Sequence, residues 1–284
     1  MNNPFDSLRS QFDLYLDTQT NKLPESRLKD AMRYSLLAGG KRVRPMLLFA
    51  ALDAYGLPAE QGFPMAAAIE MIHTYSLIHD DMPEMDNDDL RRGRPTCHRV
   101  FGDDIALLAG DGLQAFAFEQ LKDVSDPKKA IDLCVLLARM AGPAGMCYGQ
   151  DLDLDADGAS SLEDIERIET YKTGCLIALP LCSAAILAGH PEDVDKWQQV
   201  GREIGIQFQI QDDLLEKTSS AAVMGKSLSD ERNEKATALT FFGLEEGKAK
   251  VLEYEKSILT RLDEFNLNDG LLRVLIEQLT HRTH

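Results

Sequence analysis

Two bursts of carboxylates, each closing an apolar stretch, are the residues best placed to do chemistry in this sequence. The first runs Leu77-Ile-His-Asp80-Asp81-Met-Pro83-Glu84-Met-Asp86-Asn87-Asp88-Asp89-Leu-Arg91-Arg92. A run like this also suits a solvated helix end. Three details favour a site instead: Asp80 and Asp81 follow the hydrophobic stripe directly, Pro83 interrupts the helix and lets Asp86 return toward Asp80, and Arg91 and Arg92 follow at once. The second burst, Gln209-Ile-Gln-Asp212-Asp213-Leu-Leu-Glu216, places Asp212 and Glu216 four apart, on one helix face. Like charges gathered at the mouth of a core must be neutralised, and Mg²⁺, with its preference for oxygen, does this well. Mg²⁺ rarely accepts an all-protein cage and shares its shell with phosphates. The two clusters therefore predict a phosphorylated ligand bridged by several ions.

Separate cations along the chain supply donors for such a ligand: Gly39-Gly40-Lys41-Arg42-Val43-Arg44-Pro45, Arg91-Arg92, Tyr171-Lys172-Thr173-Gly174, Gly225-Lys226 and Lys235. Taken singly, each also reads as surface charge. Gly39-Gly40 gives the first group a close approach to a phosphate, and Arg44 has the fork to bind one through two bonds. His73 lies seven residues before Asp80, two turns down the same face. A lone helical His is also compatible with an ordinary core position.

Helices must position these residues, because strand signals are scarce and helical spacing recurs throughout. After Pro64, the positions Met65, Ala68, Ile69, Ile72 and Tyr75 repeat at three- and four-residue steps; Ser160 and Glu163 form a capping-box pattern opening a helix at Leu162. Segments apolar nearly all round, such as Ala66–Ala68 and Cys175–Gly189, predict helices in the middle of a bundle. No linker or repeat divides the 284 residues, so the reading is one all-α domain over 1–284, a bundle of about ten helices around a central cavity. A formal charge of −17 disfavours nucleic acid and anionic membrane as partners. Five cysteines without a CxxC pair read as reduced thiols. The N-terminal residues lack an apolar signal core, and the longest apolar run falls short of a membrane span, which predicts a cytoplasmic protein without membrane insertion.

GGKRVRP, IEMIHTYSLIHDDMPEMDNDDLRRGRPTCH, YKTG and QFQIQDDLLE together resemble the bacterial short-chain trans-prenyl diphosphate synthases, and among them the farnesyl diphosphate synthases. The likeness covers almost the whole chain. It implies the isoprenoid synthase fold, a homodimer, and Mg²⁺, three ions with substrate bound. It also implies condensation of isopentenyl diphosphate with dimethylallyl and then geranyl diphosphate. By this resemblance Lys41, Arg44, His73 and Arg92 contact isopentenyl diphosphate. Arg91, Lys172, Thr173, Gln209, Lys226 and Lys235 contact the allylic diphosphate. Asp80, Asp81, Asp86 and Asp212, with Glu216, hold metal, and Gln150 and Asp153 line the cleft. Asp80, Asp81, Asp86, Arg91, Lys172 and Asp212 carry the catalysis. Tyr75, about 7.5 Å down the helix from Asp80, is either a core Tyr or, with Ser76, the floor that sets chain length. In the family an aromatic there accompanies a C15 product.

The chain departs from the family pattern at Glu216, where a third Asp is usual, at Ser229, and at Ala238-Leu239 after Lys235. These departures leave open a weakly active or non-catalytic subunit. C10, C15 and C20 products also stay open, geranylgeranyl diphosphate synthesis among them. A terpene cyclase has no need of a second diphosphate site on Lys41, Arg44 and His73. The series Asp153-x-Asp155-x-Asp157-Gly158 with Asp164 mimics a calcium loop, yet its last ligand is Asp and no second loop pairs with it. A polar loop capped by Ser160 is the reading favoured here.

Overall fold

The computed structural model describes residues 3–155, 161–218 and 237–282. Helices α1 (Asp6–Asn21), α2 (Arg27–Leu36), α3 (Val43–Ala54) and α4 (Phe63–Asp80) precede a two-residue hairpin, Leu90–Arg91 with Arg94–Pro95. Then come α5 (Cys97–Phe101), α6 (Asp103–Gln120), α7 (Pro127–Ala141), α8 (Met146–Leu154) and α9 (Leu162–Glu169). A π turn, Thr170–Gly174, leads into α10 (Cys175–Ala188); α11 (Val194–Thr218), α12 (Ala238–Asp263) and α13 (Gly270–Thr280) complete the order. The hairpin is the only strand pairing among the described residues, in line with the helical reading.

The core is a stack of helices whose inner faces carry small or branched residues. α4 runs along α6, and α10 lies between α3 and α11. In α4, Met65 to Ile69 are fully buried; in α10, every residue from Cys175 to Leu187 is buried. Each of those Leu and Ile side chains contributes about 1.5–3 kcal/mol by leaving water. Pro180 removes one backbone donor from α10, and its neighbours' packing holds the helix across that gap. By length and composition alone, the helical stretches 127–154 and 162–188 are long and apolar enough to cross a membrane; the second is mostly buried in this packing. A smaller cluster of Ile165, Ile206, Ile210, Leu214 and Val251 ties α9 and α11 to α12. Ala238 and Leu239 belong to it, so that departure from the family pattern supplies core contacts at the start of α12.

One expectation needs adjusting, the capping box of α9. The cap of α9 is Ser161, whose hydroxyl accepts from the Asp164 backbone N–H while the Asp164 carboxylate accepts from the Ser161 backbone. The capping box is therefore one residue later than predicted, because Asp is long enough to close the ring in place of Glu163. Asp164 is thereby engaged away from any calcium loop, and Asp153 is paired with Lys172. Asp157, Gly158 and Ser160 lie outside the described residues.

Beneath the GGKRVRP segment, Arg42 takes a left-handed backbone (φ 50°) and turns its guanidinium inward. It donates to the Glu70 carboxylate at 2.6 Å, to the Asp13 carboxylate at 2.9 Å and to the Leu36 carbonyl at 2.8 Å. Its side chain is 1% exposed and that of Glu70 is 4% exposed. One buried cation thus joins α1, the end of α2, the start of α3 and the middle of α4. Glu70→Ala would strand that charge and is expected to cost about 3–5 kcal/mol in a urea denaturation series; a loss below 1 kcal/mol would mean the network is not structural.

Candidate functional site

α4 ends at Asp80, and the chain turns at once. The Asp86 backbone N–H donates to the Asp80 carbonyl at 2.9 Å, so Pro83 does return Asp86 to the helix end. Burial raises the Asp80 carboxyl to about 6, with Asp86 and Asp81 adding to the rise against the pull of Lys172 and Arg91. Asp81 turns inward and accepts from both Nε and a terminal nitrogen of Arg91, the Nε bond at 2.9 Å. Asp88 lies 3.6 Å from the same guanidinium. As placed, Asp81 holds Arg91 upright beside Asp80.

A second face is cationic. Gly40 has φ 131°, and a Cβ there would sit 2.7 Å from the Arg92 guanidinium, so glycine is what lets Arg92 lie against this loop and donate to the Gly39 carbonyl. Arg44 is enclosed next to it. Burial, with Arg92 adding to the effect, lowers Arg44 to about 10, still charged at neutral pH, and its Nε is buried without a partner. Burial and the cations Arg44, Arg92, Arg91 and Arg42 push His73 well below the usual imidazole range, so it is neutral. Lys41 is lowered by burial and by Arg282. Cations gathered at this density, with an orphaned guanidinium N–H, describe a receptor for a multiply charged anion.

The third face joins α8, the π turn and α11. Lys172 Nζ is 2.7 Å from the Asp153 carboxylate. Burial works against its charge, yet Asp153, Asp80 and Glu169 together raise it above the ordinary lysine value. Gly149 permits the approach of α8, since a Cβ there would meet the Lys172 backbone nitrogen at 2.0 Å. On α11, the Gln209 amide donates to Asp213 at 3.4 Å, and Thr173 hydrogen-bonds Glu169. Asp212 pairs with Arg282 at 3.0 Å, and that guanidinium lies 3.8 Å over the Phe208 ring.

Tyr75 is 6% exposed, one turn and a half below Asp80. Its ring meets His79 edge-on at 5.7 Å and its hydroxyl lies 3.9 Å from Cys147 Sγ. Ser76 donates back to the His73 carbonyl at 2.9 Å. Lys226, Lys235 and Ser229 lie outside the described residues, as does the side chain of Glu216.

The structure therefore brings Asp80, Asp86, Arg91 and Lys172 into one electrostatic neighbourhood and Arg44, His73 and Arg92 into another, with Arg91 acting on both. Asp212 lies within electrostatic reach of Lys41 and Arg44. Sequence reasoning missed Arg282, which sits far from every motif, and Glu169, which it passed over as one more acid on an amphipathic helix. The carboxylate donors suit Mg²⁺. Among the described residues, no three His, Cys, Asp or Glu converge as a group that could hold a metal ion.

Residues 25–265 match the family model described as Polyprenyl synthetase. The chain is 40% identical to the farnesyl diphosphate synthase of Geobacillus stearothermophilus, over 91% of this chain and 90% of that one. It is 43% identical to the chloroplastic geranylgeranyl pyrophosphate synthase of Capsicum annuum, over 84% of this chain and 67% of that one. A crystal structure of a Helicobacter pylori geranyltransferase complexed with magnesium and isoprenyl diphosphate superimposes with a TM-score of 0.83 at 30% identity, covering 98% of this chain and 97% of that one. With a trans-prenyl synthase fold, facing acidic and cationic walls, and a family match across most of its length, this chain belongs to the polyprenyl synthetase family.

Proposed function

We propose that the chain condenses isopentenyl diphosphate with dimethylallyl and then geranyl diphosphate, stopping at (2E,6E)-farnesyl diphosphate. The buried Tyr75 ring, five residues before Asp80, carries the chain-length part of this reading. Relatives making C15 and C20 products are about equally similar, so the floor of the cavity is the discriminating feature.

Arg91 and Lys172 face the carboxylates of the first motif and would bind the departing diphosphate of the allylic substrate, with Thr173 and Gln209 beside them. Negative charge grows on that group as its C–O bond ionises, and fixed cations in a partly buried site stabilise the developing charge most strongly. Asp80 and Asp86, with Asp212 across the cleft, would hold Mg²⁺, which supplies further charge neutralisation on the diphosphate oxygens. Lys41, Arg44, His73 and Arg92 would hold isopentenyl diphosphate so that its double bond reaches the allylic cation. The released pyrophosphate accepts the final proton, so no general-base side chain is required. Neutral His73 fits a donor role, since it adds a hydrogen bond without a charge.

One incubation tests the reading: dimethylallyl diphosphate, excess isopentenyl diphosphate and Mg²⁺, with an EDTA control, read by product mass. A Mg²⁺-dependent C15 product is expected, and Tyr75→Ala should shift the distribution to C20 or longer. A wild-type C20 product would keep the reaction and discard Tyr75 as the floor. No condensation by a folded, diphosphate-binding chain would favour a non-catalytic subunit.

Metal loading should depend on pH with a definite sign. Asp80 must lose its proton to ligate, so Mg²⁺ affinity should fall as pH drops through about 6, and more steeply in the wild type than in Asp80→Asn, which shares only the pyrophosphate's own titration. Calorimetric titration with Mg²⁺ and pyrophosphate between pH 5 and 8 checks this; a wild-type profile no steeper than that of Asp80→Asn would remove Asp80 from the metal set.

We further propose a homodimer. Leu107 and Leu108 on α6 and Ile131 and Val135 on α7 expose apolar side chains that a second copy would cover. Sedimentation should give twice the chain mass, and Leu108→Glu with Val135→Glu should yield monomer; unchanged sedimentation of that variant would place the interface elsewhere.

A further inference from the structure

Glu169 is the last residue of α9, where the helix widens into the π turn Thr170–Gly174. As a residue it is half-buried, yet its Oε2 is wholly buried and has no hydrogen-bond partner in the protein. Leaving a carboxyl oxygen this way is costly unless something else reaches it. The neighbours come from three elements: Asp153 on α8, Lys172 and Thr173 on the π turn, and Asp213 on α11. Lys172 is already matched by Asp153 at 2.7 Å, so its charge does not close on Glu169 alone. Thr173 hydrogen-bonds the Glu169 carboxyl.

Charge decides the state of the group. Burial is the main cause that raises Glu169 to about 8, and Asp213 and Asp153 push the same way, while Lys172 and Thr173 pull against them. A neutral carboxyl has one O–H donor where a carboxylate has none. Were Glu169 ionised, it would add a third negative charge to Asp153 and Asp213 on the wall that meets an anionic ligand. Neutral, it turns the same wall into a donor, and its free oxygen has no competing acceptor within the protein.

We propose that Glu169 is a further substrate-contacting residue, whose carboxyl hydrogen is donated to a non-bridging oxygen of the allylic diphosphate. This rests on the reading above, in which Lys172 and Thr173 face that diphosphate. No covalent step is involved; the proton stays on Glu169 and the hydrogen bond strengthens as charge accumulates on the departing group. The site would bind its ligand tightly while Glu169 keeps its proton, and lose affinity as pH rises past the point where it leaves.

The test is calorimetric binding of dimethylallyl diphosphate with Mg²⁺ and without isopentenyl diphosphate, so that nothing condenses, from pH 6 to 9.5. Wild-type Kd should be level at low pH and rise about tenfold per unit above about pH 8. Glu169→Ala should weaken binding at pH 7 by about ten- to hundredfold. Glu169→Gln, whose amide N–H still donates, should weaken it by only about threefold, with no alkaline rise. An alanine variant within twofold of wild type, or an alkaline rise that persists in Glu169→Gln, overturns the inference. If the alanine variant does not fold, the pH profile of Glu169→Gln decides alone. Lys172→Ala separates the two claims: if it binds dimethylallyl diphosphate as well as wild type, the allylic assignment of this wall fails; if it binds poorly while the Glu169 variants bind normally, only the role of Glu169 fails.

Discussion

The ion pair of Arg42 with Glu70 is the interaction on which the rest of the site depends. It is buried on both sides, and a third bond to Asp13 brings in α1. A charge pair so placed is a poor source of net stability compared with packed hydrocarbon, but it fixes geometry, since breaking it would leave a buried charge. What it fixes is the entry of α3 against the middle of α4. Arg44 is two residues after Arg42, and His73 is three after Glu70. The pair therefore sets the distance between the two elements that supply the cationic face, and it does so without using either as a ligand contact.

Above that anchor, two groups of buried charge carry an imbalance: cations outnumber acids around Arg44 and His73, while around Asp80 several carboxylates share Arg91 and Lys172. Arg44 has an unpartnered Nε, and burial together with the neighbouring cations keeps the His73 imidazole neutral. In the other group, Asp80 is pushed up by burial beyond what Lys172 and Arg91 relieve. In the proposed reading, a diphosphate with divalent cations would offset both imbalances. The net charge of −17 does not oppose this, because a buried pocket answers to its nearest charges more than to the distant total.

Much of this was legible in the sequence, for identifiable reasons. Pro83 after an apolar run ending in two Asp residues predicts the return of Asp86, and the backbone bond from Asp86 to Asp80 realises it. The all-apolar stretch from Cys175 predicts a central helix, and α10 is buried on every side. Arg42 was grouped with Lys41 and Arg44 as one run of cations, because sequence spacing cannot show a left-handed residue turning its side chain inward. Arg282 was invisible for a similar reason: nothing near it in sequence marks it, and only the return of the chain end past α13 brings it to Asp212. Glu169 was hidden by its surroundings, as one acid among several on an amphipathic helix.

The π turn that directly follows Glu169 decides which later residues face it. A π turn widens the helix by one residue per turn, so positions beyond it are rotated relative to an unbroken α-helix. On uniform spacing, Lys172 and Thr173, three and four residues after Glu169, would both neighbour it. Through the wider turn, Lys172 reaches Asp153 on α8, while Thr173 stays with Glu169 and its wall of α11 carboxylates. Gly149 makes the first of these approaches possible, since any side chain there would meet the Lys172 backbone. A local irregularity, admitted by a glycine on a neighbouring helix, thus assigns two successive residues to two different partners.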